Sequence, residues 1–255
     1  MRSPQGAFAD LARSGGRGAL VTVLAGAEPG AKLLVGADRA THGSLGSPGL
    51  EAAAVELAEE LMWSERSEPR ELGDATLFVD VTFPAPRLIA FGAVDMAAAL
   101  CRIARATGWR PFVVDPRARF AQAARFPDAE QVIAAWPEEA FAQLGGIDRA
   151  TAIAVLTHDP KLDDAALILA LRSDAGYIGA MGSRRAQASR RERLLAQGIA
   201  DEALARIAAP IGLDLGALTA DDTALSIMAE IVAVKHGHSG GRLAHARGRI
   251  HEVGV

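Results

Sequence analysis

The chain has 255 residues, half of them hydrophobic, with a net charge of −4, a pI near 5.9 and one cysteine, Cys101. That length and apolar content suffice for one large domain, or for a small domain joined to a mid-sized one. The slight acidity leaves no global field to draw nucleic acid or an anionic membrane, and a lone cysteine excludes an intramolecular disulfide and any multi-cysteine zinc or iron–sulfur site within one chain. The opening MRSPQGAFADLARSGG lacks the apolar segment of a signal peptide, and no apolar run approaches the length of a membrane span. The expectation is a cytoplasmic protein with neither nucleic-acid nor membrane partners.

Residues 1–16 are polar and contain glycine, which predicts a loose segment or a short helix over 7–13. Strands are expected over 19–24 and 31–35, joined by the turn-forming residues 26–30. The Gly-, Ser- and Pro-rich stretch 41–51 reads as a loop that brings backbone close to a ligand or simply packs tightly, ahead of a helix over 51–62. A polar stretch over 64–74 and a strand over 77–83 complete a small N-terminal α+β domain, residues 1–83. Pro84-Ala85-Pro86 breaks any strand and reads as the linker.

From Arg87 the pattern becomes that of a Rossmann-like parallel-sheet domain over 87–235, so the fold class is α/β. A strand over 87–91 meets the turn Gly92-Ala93-Val94-Asp95-Met96-Ala97, a helix over 97–107 follows, and a second strand over 111–114 closes with Asp115-Pro116-Arg117. The dinucleotide fingerprint G-x-G-x-x-A is present at Gly92 and broken at Val94, whose β-branched side chain would narrow the approach to a pyrophosphate and resist positive φ. Asp115 falls where an acidic residue contacts a ribose hydroxyl, and Arg117 where a guanidinium could meet a phosphate. Each also has an ordinary reading, Asp115 as a turn cap and Arg117 as a surface residue, so a bound dinucleotide stays open.

A third strand is expected over 131–135 and a short helix over 138–144. The runs 152–156 and 177–181 are continuous and apolar, as in strands covered on both faces, and the loops at their carboxyl ends should open into one ligand crevice. After the first run come His158 and Asp159, candidates for polar ligand contact, then Asp163, most simply the N-cap of a helix over 165–171. His158, Asp159 and Asp163 could bind a divalent metal or orient a polar ligand, and with no second histidine or cysteine nearby the set is thin for a metal. After the second run, Ser183 is a plausible N-cap for a helix reaching about residue 197, with Gly198 as its stop. Arg184 and Arg185 then oppose the helix dipole in the first turn, which an anionic ligand would explain: free amides, a hydroxyl and two guanidinium forks make a phosphate or pyrophosphate seat. The competing reading is a solvated basic face continued by Arg190, Arg191 and Arg193. Beyond it, 207–216 is an apolar connection containing Pro210, Gly212 and Asp214, a helix begins after Thr219 with Asp221 and Asp222 in its first turn and an apolar stretch over 223–234, and 236–255 reads as a disordered basic tail with four of the six histidines.

The combination of Thr157-His158-Asp159-Pro160, Asp163, Gly179, Gly182-Ser183-Arg184-Arg185 and Pro210-Ile211-Gly212-Leu213-Asp214 resembles the XdhC/CoxI/CoxF family of xanthine dehydrogenase and carbon monoxide dehydrogenase accessory proteins. The likeness runs over residues 19–233 and is stronger after Arg87. It implies a small N-terminal domain followed by a Rossmann domain, and an accessory rather than catalytic role: binding the molybdenum cofactor while it gains its terminal sulfur, and helping insert it into the molybdenum-containing subunit of a client enzyme. It also implies a cysteine desulfurase as a further partner and leaves a homodimer open. The candidate cofactor contacts are Gly92, Asp115, Arg117, His158, Asp159, Gly182, Ser183, Arg184, Arg185 and Asp214, with none assigned to catalysis or to a metal. Two departures stand out. The family's loop G-S-L-S-G-G-C-V-E has its cysteine where Gly49 stands, after Pro48, and its turn G-A-G-H-V-A has glycine and histidine where this chain has Val94 and Asp95. The alternatives are a nucleotide-dependent oxidoreductase on the same fold, disfavoured by the broken glycine pattern, and a ligand-free scaffold for the client.

Overall fold

Two kinds of strand pattern produce two kinds of sheet. The computed structural model describes residues 2–246, and the chain divides after Pro84 into two units. The first contains α1 (Pro4–Arg13), β1 (Gly18–Ala25), β2 (Lys32–Gly36), β3 (Thr41–Ser44), α2 (Pro48–Ser64), β4 (Glu68–Leu72) and β5 (Ala75–Thr82). Its strands form an antiparallel sheet in the order β3-β2-β1-β5-β4. Because side chains alternate along a strand, Ala19, Val21 and Val23 share a core with Leu33, Val35, Leu77 and Val79. Ala54, Ala58, Leu61 and Met62 form one helical stripe of α2 and close that core.

Three expectations change here. Residues 41–51 are not one loop: the first part pairs with β2 as the edge strand β3, and α2 already begins at Pro48, where a fixed φ suits the first helical turn. The polar stretch 64–74 carries β4, a strand at the other edge, where Glu71 faces water and the buried Glu68 pairs with Arg66 and Arg70. The N-terminal helix starts at Pro4 rather than at residue 7, because Ser3 caps it by accepting from the Gly6 N–H at 3.2 Å.

The second unit contains β6 (Arg87–Phe91), α3 (Asp95–Ala106), β7 (Arg110–Val114), β8 (Gln131–Ile133), α4 (Pro137–Leu144), β9 (Thr151–Val155), α5 (Pro160–Leu171), β10 (Tyr177–Ala180), α6 (Arg184–Ala196), α7 (Asp201–Leu204), β11 (Ile207–Ala208) and α8 (Ala220–Lys235). All six strands are parallel, in the order β11-β10-β9-β6-β7-β8. Leu88 and Ala90 of β6 share a core with Leu100 and Cys101 of α3 and Ile227 and Met228 of α8. Ile89 and Phe91 belong to the opposite core, with Leu167 and Ala170 of α5 and Leu194 of α6. A sheet covered on both faces is why these strands read as unbroken apolar runs. The chain steps outward from β6 to β8 and then returns to β9 on the other side of β6. This is the Rossmann order, and its switch point lies between the carboxyl ends of β6 and β9.

The connection 207–216 contributes the two-residue strand β11, and α7 is a helix absent from the sequence reading. Helix α8 begins at Ala220, directly after Thr219 as expected, with Asp221 and Asp222 in its first turn and Thr219 and Asp222 forming a capping box. The expected loose tail is ordered at its start: the His238 N–H donates to Ala233 O at 2.8 Å, and Leu243–His245 forms a 3₁₀ turn. The rest of that expectation, residues 247–255, lies outside the described residues. No helix among the described residues is long and apolar enough to cross a membrane.

Candidate functional site

At the switch point, Gly92 adopts a φ of 112°, and a Cβ there would lie 2.3 Å from Thr157 Cγ2. Glycine therefore lets the turn after β6 pass directly against the loop after β9. The Ala93 N–H donates to Asp115 Oδ2 at 2.9 Å. Arg117 closes on the same carboxylate, its backbone N–H and Nε reaching Oδ1 at 2.9 Å and its Nη2 reaching Oδ2 at 2.8 Å. Burial opposes the charge of Asp115, but the Arg117 guanidinium and the two amides outweigh it and hold the carboxyl below its usual range. Arg125 completes the turn, donating from Nη1 to the carbonyls of Ala93 and Phe120 at 3.0 Å and from Nη2 to Asp95 Oδ1 at 2.9 Å. Val94 is the N-cap of α3 with φ −98°. The expected resistance to positive φ therefore does not arise, and only the bulk of its side chain narrows the approach.

The loop after β9 departs from its sequence reading. Asp159, not Asp163, caps α5: its side chain accepts from the Lys161 N–H at 3.0 Å, and Pro160 takes the first helical position. Asp163 then lies one turn inside the helix, 2 % exposed, and accepts from Thr157 Oγ1 and from Arg190 Nη2 at 3.1 Å. Arg190 is itself buried and also donates to Gln187 Oε1 and, at 2.9 Å, to Met181 O. Gln187 Nε2 reaches the carbonyls of Ala180, Met181 and Gly182 within 3.3 Å. One buried cluster thus ties the loop after β9 to the loop after β10. Burial lifts the Asp163 carboxyl above its usual range even though Thr157 and Arg190 favour its charge.

The basic face of α6 is accordingly not a uniform solvated stripe. Arg190 pairs with Asp163, Arg191 with Asp201, and Arg193 with Asp164 at 2.6 and 2.9 Å. Arg184 and Arg185 are exposed and have no ion pair among the described residues. Ser183 caps the helix as expected, accepting from the Ala186 N–H at 3.3 Å, and Gly182 opens the turn with φ 129°.

Of the sequence candidates, Gly92, Asp115 and Arg117 meet around the first turn, and the charge of Asp159 acts on Arg117. Gly182 to Arg185 joins this region through Arg190 and Asp163. His158 is exposed at the end of β9. Asp214 is exposed beyond Gly212, and no hydrogen bond or ion pair among the described residues links it to the others. Sequence reasoning missed the structural roles of Thr157, Gln187 and Arg190, and missed Arg125 altogether. The usable signal was Asp159-Pro160, a cap followed by proline, which places Asp163 on the buried side one turn later.

In the first unit, Glu51 Oε1 accepts from Ser44 Oγ and from the Leu45 N–H at 2.9 Å, and these bonds hold its carboxyl below the usual range. Gly49 lies exposed in the first turn of α2, where a Cβ would meet nothing nearer than Ser47 Oγ at 3.9 Å. Among the described residues, no three His, Cys, Asp or Glu side chains come together to hold a metal ion.

Comparison with known proteins adds the following. Residues 88–231 match the family model for the XdhC Rossmann domain, and residues 11–73 match that of the XdhC and CoxI family. The chain is 31% identical over 159 residues to a probable xanthine dehydrogenase subunit from Bacillus subtilis, covering 62% of this chain and 46% of that protein. It is 30% identical over 152 residues to the molybdenum cofactor insertion chaperone PaoD of Escherichia coli, covering 60% of this chain and 41% of PaoD. It is 27% identical over 228 residues to the uncharacterized protein YqeB of Escherichia coli, covering 83% and 41%. The chain thus spans less than half the length of these curated relatives. A crystal structure of a xanthine dehydrogenase from Bacillus halodurans shares the fold with a TM-score of 0.64 at 22% identity, covering 91% of this chain and 66% of that one.

Proposed function

The chain belongs to the XdhC and CoxI family, and from that premise we propose that it is an accessory protein in the maturation of a molybdenum hydroxylase, of the xanthine dehydrogenase or carbon monoxide dehydrogenase type. It handles the molybdenum cofactor or docks on the client's molybdenum-containing subunit, and it catalyses no reaction alone. PaoD, a molybdenum cofactor insertion chaperone, supports this reading. A cytoplasmic location, where the client's cofactor is loaded, goes with it.

The single observation behind the proposed site is the pair of free guanidinium groups, Arg184 and Arg185, beside the capped N-terminus of α6. Two forks and open first-turn amides suit the phosphate of a pterin cofactor. The bound cofactor would supply molybdenum chemistry to the client. The residues of this chain would bind its anionic end and hold it at the crevice. The donor set fits that end and offers no thiol to the metal, since Gly49 is exposed without a side chain and Cys101 is buried. The oxidoreductase alternative is weaker, because the Rossmann turn at Gly92 is filled by contacts with Asp115 and Arg125.

The direct test is to purify the protein from cells making molybdenum cofactor and analyse the released ligand for pterin, nucleotide and metal. Arg184→Glu combined with Arg185→Glu should lower pterin or phosphate affinity by about tenfold or more, the scale of one or two lost charge-assisted hydrogen bonds. Unchanged affinity in a folded variant would reduce the site to a basic surface. Deleting the gene should leave the client polypeptide present but low in activity and poor in cofactor. A deletion strain with fully loaded, fully active molybdenum hydroxylases would sink the accessory role.

A further inference from the structure

We propose that the carboxyl end of β7 is a binding site for a phosphomonoester and rejects a free ribose diol. In a Rossmann sheet, an acidic side chain at the end of the second strand faces a nucleotide's ribose and serves by offering free carboxylate oxygens. Asp115 occupies that place and offers none. It is fully buried, and its two oxygens accept four hydrogen bonds, from Ala93 N, Arg117 N, Arg117 Nε and Arg117 Nη2, at 2.8 to 2.9 Å. Two carboxylate oxygens provide roughly four acceptor positions, so all are taken. A diol could reach Asp115 only by displacing a bidentate guanidinium, exchanging an ion pair with two parallel N–H···O bonds for bonds from uncharged hydroxyls.

The same geometry presents cations outward. The Arg117 side chain is 40 % exposed, and its Nη1 has no hydrogen bond among the described residues. Its guanidinium lies over the Phe120 ring at 4.7 Å, and that of Arg119 lies over the same ring at 4.6 Å. One phenyl ring therefore contacts both guanidinium groups. Asp115 neutralises one of them, while Arg119 is exposed and without an ion pair among the described residues. Asp159 is the other acid acting on Arg117. Two planar forks, one held by Asp115 and also felt by Asp159, the other without an ion pair among the described residues, offer a phosphate several N–H groups at once. This inference is independent of the anion seat at α6, because the residues are different.

The test uses the full chain and two ligands that differ only at the ribose 2′ position: 2′,5′-ADP, which carries a phosphate there, and 5′-AMP, which carries the free hydroxyl. Calorimetry should show 2′,5′-ADP binding more tightly by about tenfold or more. Arg119→Ala should remove most of that preference. Arg117→Leu frees Asp115 and should invert the preference. Should that variant fail to fold, Arg119→Ala still decides. Inorganic phosphate competing in wild type but not in Arg119→Ala would identify the phosphate as the recognised group. Equal affinities, a preference for 5′-AMP, an unaltered preference in Arg119→Ala, or no binding of either nucleotide would each overturn the proposal.

Discussion

The turn after β6 and the turn after β10 are built alike and finished differently. Each leaves a parallel strand through a glycine at positive φ, 112° at Gly92 and 129° at Gly182, and each opens a helix. In the first, the chain fills the turn with itself: Ala93 donates to Asp115 and accepts from Arg125, and Asp95 puts an acid into the first turn of α3. In the second, the Ser183 side chain caps the helix, and the first turn of α6 carries no acid and two arginines without an ion pair among the described residues. Both helix N-termini attract anions through their dipoles, so the side chains decide which one is available. A glycine fingerprint therefore marks where backbone could approach a phosphate, and the charges without partners among the described residues are the basis for the proposed seat at the second turn.

The largest expected effect comes from breaking what supports the second turn. Asp163→Leu or Arg190→Leu alone leaves a buried charge uncompensated and should cost about 3–5 kcal/mol, whereas Asp163→Leu with Arg190→Met should recover most of that loss. Denaturant unfolding of the three proteins checks it, and single variants as stable as wild type would mean that the buried pair does not hold the turn.

Asp115→Asn tests the first turn and should cost about 1.5–3 kcal/mol near neutral pH. The folded carboxyl lies below its usual range, so its contribution is present above about pH 4 and is lost as pH falls through the folded value. The difference between wild type and variant should accordingly shrink in acid. A difference that widens there would reverse the assigned sign.

Val94→Gly should have the smallest effect. At φ −98° the glycine relieves no backbone strain, and it removes only the bulk of the side chain. Nucleotide affinity by calorimetry should rise by less than about tenfold, or about 1.4 kcal/mol. A larger rise, unaffected by Arg184→Glu with Arg185→Glu, would move the anion seat to the first turn.

Much of the second unit was legible because its short continuous apolar runs, bounded by turn residues, have the length and composition of strands buried on both faces. Ser183 was legible as a cap for the same local reason. The edge strands β3 and β4 were not, since sequences such as EPREL derive their strand character from a neighbour's free backbone groups and carry little apolar signal. The Asp163–Arg190 pair was illegible for a different reason. Its members are 27 residues apart, and an aspartate just before an apolar helical run looks like a cap until Pro160 is used to set the helix start. Arginine spacing along α6 likewise cannot distinguish Arg190 from Arg184, because only the tertiary fold supplies a carboxylate for one of them.

Cys101 also makes the second unit its own stopwatch. Its side chain lies wholly inside the core between α3 and the sheet, and burial pushes the thiol up to about 12. A thiol-directed reagent can reach it only in molecules that have opened, so the labelling rate in native buffer reports how often the Rossmann core comes apart. The same seclusion keeps the thiol from exchanging with small disulfides while the core is closed, so redox buffer should leave the folded chain unmodified at this position.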